Sequence, residues 1–188
     1  MNRLRLATTW LDGCSGCHMS LLDLDEALLD ILAGVEMVYG PLVDVKDFPA
    51  RADVTLVEGA VGSEADRRHI LEIRERTGIL VSFGDCAVTA NVPAMRNRFP
   101  VEAVIARAYV DNADRHPAAG DGAAAERPAF AFTGVPRLCP TARPVHEFVP
   151  VDVFVPGCPP AAAVIAWLLT ELVAGRTPEI GGRSRFGA

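Results

Sequence analysis

Gly78-Ile79-Leu80-Val81-Ser82-Phe83-Gly84-Asp85-Cys86 is the stretch on which the fold turns. The run from Ile79 to Phe83 is almost wholly apolar and has a glycine at each end. Such a run reads as a strand buried on both faces, the mark of a parallel sheet covered by helices. Gly84-Asp85-Cys86 then leaves the carboxyl end of that strand, the edge where α/β sheets gather their ligands.

Working outward, the chain alternates strand and helix signals. Leu4 to Leu11 reads as a first strand that stops at the turn signal Asp12-Gly13. From Met19 to Ala33, Leu21, Leu22, Leu24, Leu28, Leu29, Ile31 and Leu32 recur at helical spacing, with Asp23, Asp25, Glu26 and Asp30 between them. One helix is expected there, with Gly34 as its stop. Val35 to Tyr39 and Val54 to Val61 read as strands. Ser63 followed three residues later by Asp66 marks a helix start, and that helix runs to Arg76. Val151 to Val155 is a last strand, and Ala161 to Gly175 a last helix. Alternating elements of this kind build βαβ units. The expectation is one flavodoxin-like, three-layer α/β domain over residues 1–188 with a mostly parallel sheet. Residues 90–150 read as a loop-rich insertion, with a short helix near Val101 to Val110 and an exposed loop from Asn112 to Pro128. Residues 178–188 read as a loose tail, or one ordered only against a partner.

Composition narrows the function. Of 188 residues half are apolar and 22% charged, ample for one buried core. A net charge of −6 with no basic stripe excludes a nucleic-acid binder, which needs Lys and Arg to neutralise phosphates. The amino terminus lacks the pattern of a secretory signal. The apolar stretch Ala161 to Ala174 is too short to span a bilayer and carries Glu171. A cytoplasmic protein with no membrane contact is expected. Five cysteines, an odd number, in a reducing compartment point to metal or redox chemistry rather than to a disulfide framework.

Four of those cysteines fall at one predicted edge. Cys14 and Cys17 follow strand one in a CxxC loop, Cys86 follows the buried strand, and Cys158 follows the last strand in Pro156-Gly157-Cys158-Pro159-Pro160. A lone CxxC serves zinc sites, redox pairs and clusters alike. Three strand-to-helix loops converging on one sheet end make a shared metal site the better reading. The neighbouring glycines let backbone approach the sulfurs, and Pro159-Pro160 can open a helix without losing a hydrogen bond. Cys139, in Arg137-Leu138-Cys139-Pro140, is left over as a small buried or half-exposed thiol.

The quoted residues resemble a known family. Cys14-Ser15-Gly16-Cys17-His18-Met19-Ser20-Leu21-Leu22-Asp23, Val57-Glu58-Gly59, the segment Gly84-Asp85-Cys86 through Val92-Pro93-Ala94-Met95-Arg96-Asn97, and the PGCPP loop look like the small subunit of nickel–iron hydrogenases. The likeness is fullest to the short small subunit of the soluble, NAD-reducing type. It implies a flavodoxin-like domain holding one proximal [4Fe–4S] cluster on Cys14, Cys17, Cys86 and Cys158. It also implies a separate large subunit with the nickel–iron centre, and diaphorase subunits with FMN and further iron–sulfur clusters. This chain would then relay electrons from H₂ toward NAD⁺ without an active site of its own. The sequence departs from longer relatives at Met19, where many have glutamate, and at Ala90-Asn91, where they have two glycines. No cysteine follows Cys158 for the further clusters those relatives carry. The complex I cluster subunit shares PGCPP but has adjacent cysteines in place of CxxC. F420- and NADP-linked hydrogenase small subunits, a structural zinc module and a flavin-binding flavodoxin are the other readings.

Smaller features carry expectations of their own. His18 reads as a hydrogen bond to a cluster sulfur or to partner backbone, or as a plain surface or interface residue. His69 reads as solvated, His146 as part of an extended segment, and His116 as part of the long loop. Glu58, at the end of a buried strand, needs a hydrogen-bonding partner. Arg96 and Arg98 read as surface groups or partner contacts.

Overall fold

The computed structural model describes residues 3–111 and 134–187. His116 and the expected loop from Asn112 to Pro128 lie outside the described residues. Five strands form one parallel sheet: β1 (Leu4–Trp10), β2 (Val35–Tyr39), β3 (Ala52–Glu58), β5 (Thr77–Phe83) and β7 (Val153–Val155), in the order β2-β1-β3-β5-β7. The order reverses between β1 and β3, the flavodoxin-like switch point where ligands collect. A second, two-stranded antiparallel sheet pairs β4 (Val61–Ser63) with β6 (Leu138–Arg143).

Alternation along the strands divides the core in two. Leu6, Val54, Leu56, Val81, Phe83 and Val155 face one side. There they meet α6 (Ala162–Val173), with α1 (Gly16–Leu22) and α2 (Glu26–Leu32) packed beside it. Ala7, Val57 and Leu80 face the other side with Ile70 and Ile73 of α3 (Glu64–Glu75) and Ala87 of α4 (Asp85–Thr89). Helices on both faces explain why β5 can be almost wholly apolar. α3 begins where Ser63 and Asp66 indicate: Ser63 Oγ accepts from the Asp66 N–H at 3.1 Å, and Asp66 accepts from the Ser63 N–H at 2.8 Å.

Several boundaries differ from the sequence reading. The helix expected over Met19 to Ala33 is two helices, and the first starts three residues earlier, so Cys17 lies inside its first turn. The break falls at Asp25, whose φ of 51° a short polar residue tolerates better than most. Between the helices Leu24 turns into the core at 9% exposure. The strand expected over Val54 to Val61 is likewise two strands, turned at Gly59 with φ 91°. In the 90–150 region, Pro93–Arg98 is a 3₁₀ helix, α5 (Val101–Ile105) runs on into a π-helical turn over Ala106–Val110, and β6 is a strand. Pro140 sits in β6, at home in a two-stranded ribbon where every strand is an edge. His146 belongs to a 3₁₀ turn, Val145–Glu147, not to an extended segment. The tail past Pro178 is tied down: Ile180 joins the core, and the Arg183 guanidinium lies 4.3 Å from the Trp167 ring centroid.

Candidate metal centre

The carboxyl ends of β1, β5 and β7 each deliver a cysteine loop. After β1, Ser15 takes a left-handed conformation at φ 67° and turns the chain into α1. This leaves Cys14 exposed and Cys17 buried. After β5, Gly84 at φ 88° leads into α4, which carries the buried Cys86. After β7, Gly157 at φ 135° precedes the exposed Cys158, and the Cys158–Pro159 peptide is cis.

Backbone hydrogen bonds lace the second and third loops together. The Gly84 N–H donates to the Val155 carbonyl at 2.8 Å, and the Asp85 N–H donates to the Gly157 carbonyl at 2.8 Å. In return the Gly157 N–H donates to Asp85 Oδ1 at 2.6 Å. The first loop joins through Ser20, whose hydroxyl donates to the Pro160 carbonyl at 2.7 Å. The room around the sulfurs requires glycine. A Cβ at Gly84 would stand 2.2 Å from Cys17 Sγ, an impossible approach.

The four thiols share one electrostatic environment. Burial pushes the Cys17 thiol far up, and the Glu58 carboxylate, Cys86, Cys14 and Cys158 push in the same direction. Burial also raises Cys86, with Cys158, Cys14 and Glu58 adding to it, while a hydrogen bond from the Val92 backbone works the other way. Cys17 and Cys86, buried beside Glu58 and the other sulfurs, do not ionise unaided. A positively charged metal group that took their sulfurs as thiolates would relieve the repulsion. The donor set therefore fits a thiolate-bound metal group, an iron–sulfur cluster among them. Cys139 stands apart: burial raises its pKa first, followed by Glu64 and Asp66, and its Sγ lies 4.0 Å from Glu64 Oε1. Among the described residues no three His, Cys, Asp or Glu side chains close on a point that a single metal ion could occupy.

The surroundings of the cysteines contain groups the sequence singled out and groups it did not. Glu58 has the partners its burial demands: it accepts the Cys17 N–H at 3.3 Å, the His18 N–H at 3.0 Å and His18 Nδ1. His18 is a core residue, 1% exposed, with its ring edge-on to Trp10 and Phe83 and its Nε2 buried without a partner among the described residues. His69 is not solvated. It is half-buried, with Nε2 3.2 Å from Thr9 Oγ1 and 3.5 Å from the Tyr39 hydroxyl. Arg96 is spent inside the chain, donating to the carbonyls of Cys139 at 3.1 Å and Gly62 at 2.8 Å. The side chain of Asn97 pairs with both backbone groups of Ala142. The Val92–Asn97 motif is thus a clasp on the small sheet. Sequence reasoning missed Asp85 and Asn91. Asp85 is 5% exposed, and the Asn91 amide nitrogen lies 3.7 Å from Cys158 Sγ. A carboxylate between a buried strand and a buried cysteine was the signal for the first.

A parallel α/β domain with three cysteine loops at the carboxyl edge of its sheet defines a class of flavodoxin-like, cysteine-bearing domains, and comparison with known proteins narrows it. Residues 14–172 match the family described as NADH ubiquinone oxidoreductase, 20 kDa subunit, and the chain belongs to that family. It is 41% identical to the delta subunit of the NAD-reducing hydrogenase HoxS of Cupriavidus necator, over 93% of this chain and 80% of that one. It is 38% identical to a subunit of the F420-non-reducing hydrogenase vhu of Methanococcus voltae, covering 95% of this chain but 59% of the relative. In three dimensions it matches a chain in the crystal structure of an NAD⁺-reducing [NiFe]-hydrogenase in the H₂-reduced state. That match has a TM-score of 0.86 at 35% identity and covers 99% of each chain. A [NiFeSe] hydrogenase chain from Desulfovibrio vulgaris Hildenborough shares the fold, with TM-score 0.55 and 16% identity. No helix among the described residues is long and apolar enough to cross a membrane.

Proposed function

We propose that Cys14, Cys17, Cys86 and Cys158 hold one [4Fe–4S] cluster, and that the chain is the electron-relay small subunit of a cytoplasmic NAD-reducing nickel–iron hydrogenase. The observation that carries this reading is the convergence of the four thiols, from three laced loops, at the carboxyl edge of the parallel sheet. When bound, such a cluster accepts and returns one electron at a time.

The chain's own residues would do the rest. Glu58 fixes the first turn of α1 and so aims Cys17. Ser20 and Asp85 bind the other loops to that frame. Asn91 offers an N–H to the exposed Cys158 sulfur, and a donor there raises a cluster's potential by favouring its reduced, more negative state. Exposed Met19, Val92 and Met95 lie close in sequence to the cysteines, a suitable apolar rim for docking a large subunit that carries nickel and iron. Diaphorase subunits with FMN and further clusters would take the electrons on to NAD⁺.

The likeness to the methanogen subunit supports a second reading, in which the same relay serves a hydrogenase with a different electron acceptor. Purification from the native host distinguishes the two. Co-elution with a nickel-bearing subunit and a flavin diaphorase, with H₂-driven NAD⁺ reduction, supports the first. H₂-driven dye reduction without NAD⁺ reduction supports the second. Zinc without sulfide would overturn both.

A further inference from the structure

The tail after Pro178 ends up against the cysteine loops. Its anchor is Ile180 in the core and Arg183 over Trp167. From there Ser184 Oγ donates to the Pro156 carbonyl, and the Gly187 N–H donates to Asp85 Oδ2 at 2.8 Å. The other carboxylate oxygen, Oδ1, holds the Gly157 N–H at 2.6 Å. One buried side chain is therefore shared between the residue before Cys158 and the tail, while its own backbone leads directly into Cys86. Among the described residues no cation pairs with Asp85, so backbone N–H groups alone satisfy this carboxylate. Bonds of this kind to an ionised acceptor are the stronger sort, and a buried carboxylate cannot spare them.

We propose that Asp85 is a positioning residue that locks the Cys158 loop against the Cys86 loop, and that Ser184–Gly187 is the strap that closes the lock. This rests on the cluster reading above. Cys14 and Cys158 are exposed whereas Cys17 and Cys86 are buried, and of the two exposed ligands Cys158 is the one whose loop Asp85 ties down, so the opening this lock opposes is that of the Cys158 loop. The strap slows that opening. Its role is cluster retention.

The test uses the full chain, purified anaerobically with its partner subunits, beside three variants: deletion of residues 184–188, Asp85→Asn, and both together. The asparagine can still accept from Gly157 through its oxygen, but its amide nitrogen cannot accept from Gly187. Release of iron to a ferrous chelator should be roughly tenfold faster in the deletion variant, the size expected for losing a hydrogen bond to a charged group. Its initial iron content and reduced-cluster paramagnetic spectrum should be unchanged. Asp85→Asn should also speed release, and the double variant should be slower than the product of the two single effects predicts, because both changes break the Gly187–Asp85 link. Wild-type release rates in the deletion variant would overturn the proposal, as would effects that multiply in the double variant. Protein purified without iron and sulfide would sink the cluster reading instead. The strap would then be judged by amide hydrogen exchange at Gly157, which speeds up in the deletion variant if the lock is real and stays at the wild-type rate if it is not.

Discussion

Glu58 closes β3 and accepts the backbone N–H of Cys17 at 3.3 Å, so a buried carboxylate fixes the first turn of the helix that carries a candidate ligand. The same carboxylate takes both the backbone and the ring of His18. It is at once a brace and a negative charge beside the thiols.

Replacing Glu58 with Gln removes the charge and keeps the shape. The expected loss of stability is about 1.5–3 kcal/mol, the range for hydrogen bonds to charged groups, read by denaturant unfolding. The midpoint potential should rise, because a neighbouring negative charge disfavours the reduced cluster. A redox titration giving a lower potential would contradict the assignment of Glu58 to the cluster's surroundings.

Cys139 and Cys158 should behave oppositely. Cys139→Ala removes a thiol that faces Glu64 and the small sheet, so iron content and the reduced-cluster signal should stay at wild-type levels. Cys158→Ala should lose or convert the cluster, and with it H₂-driven NAD⁺ reduction. Iron analysis and electron paramagnetic resonance on the two variants side by side check both.

Leu168 is fully buried on the α6 face, and truncation to Ala should cost about 2–5 kcal/mol. Leu29 on α2 is 69% exposed, and its truncation should stay within about 0.5 kcal/mol of wild type. Chemical denaturation of both variants tests how the core is divided.

His69 gives a pH dependence. Burial lowers its pKa below the ordinary 6.5, outweighing the upward pull of Glu72 and Asp66. The unfolded chain therefore binds the proton more readily than the folded one, and stability falls as pH drops through 6.5 toward the lowered value. His69→Gln lacks that proton. The stability of wild type relative to the variant should decline between neutral pH and about pH 5; a constant difference would contradict the burial of His69.

What the residues disclosed follows from physical range. β5, β1 and the capped start of α3 rest on local pattern, and all three stand where Ile79–Phe83, Leu4–Leu11 and Ser63/Asp66 place them. The cysteine loops were legible because strand ends in a parallel sheet face one edge. The break at Asp25 was hidden, since the leucines before and after it keep a helical rhythm while Leu24 is drawn inward by the core. β6 was hidden because its pairing with β4 spans a long stretch of chain and includes Pro140. His69 looked solvated on a charged helix, and only the packing of Thr9 and Tyr39 beside it reveals otherwise. Asp85 carries no motif, and its importance lies in two backbone donors distant in sequence.

The central claim is the cluster on the four convergent cysteines. Its most direct test is iron and acid-labile sulfide analysis of the anaerobically purified chain, joined to electron paramagnetic resonance of the dithionite-reduced sample. The expected result is about four iron and four sulfide per chain with the fast-relaxing signal of a reduced [4Fe–4S] cluster, lost in Cys158→Ala. Stoichiometric zinc without sulfide, or a signal that survives in Cys158→Ala, would contradict it.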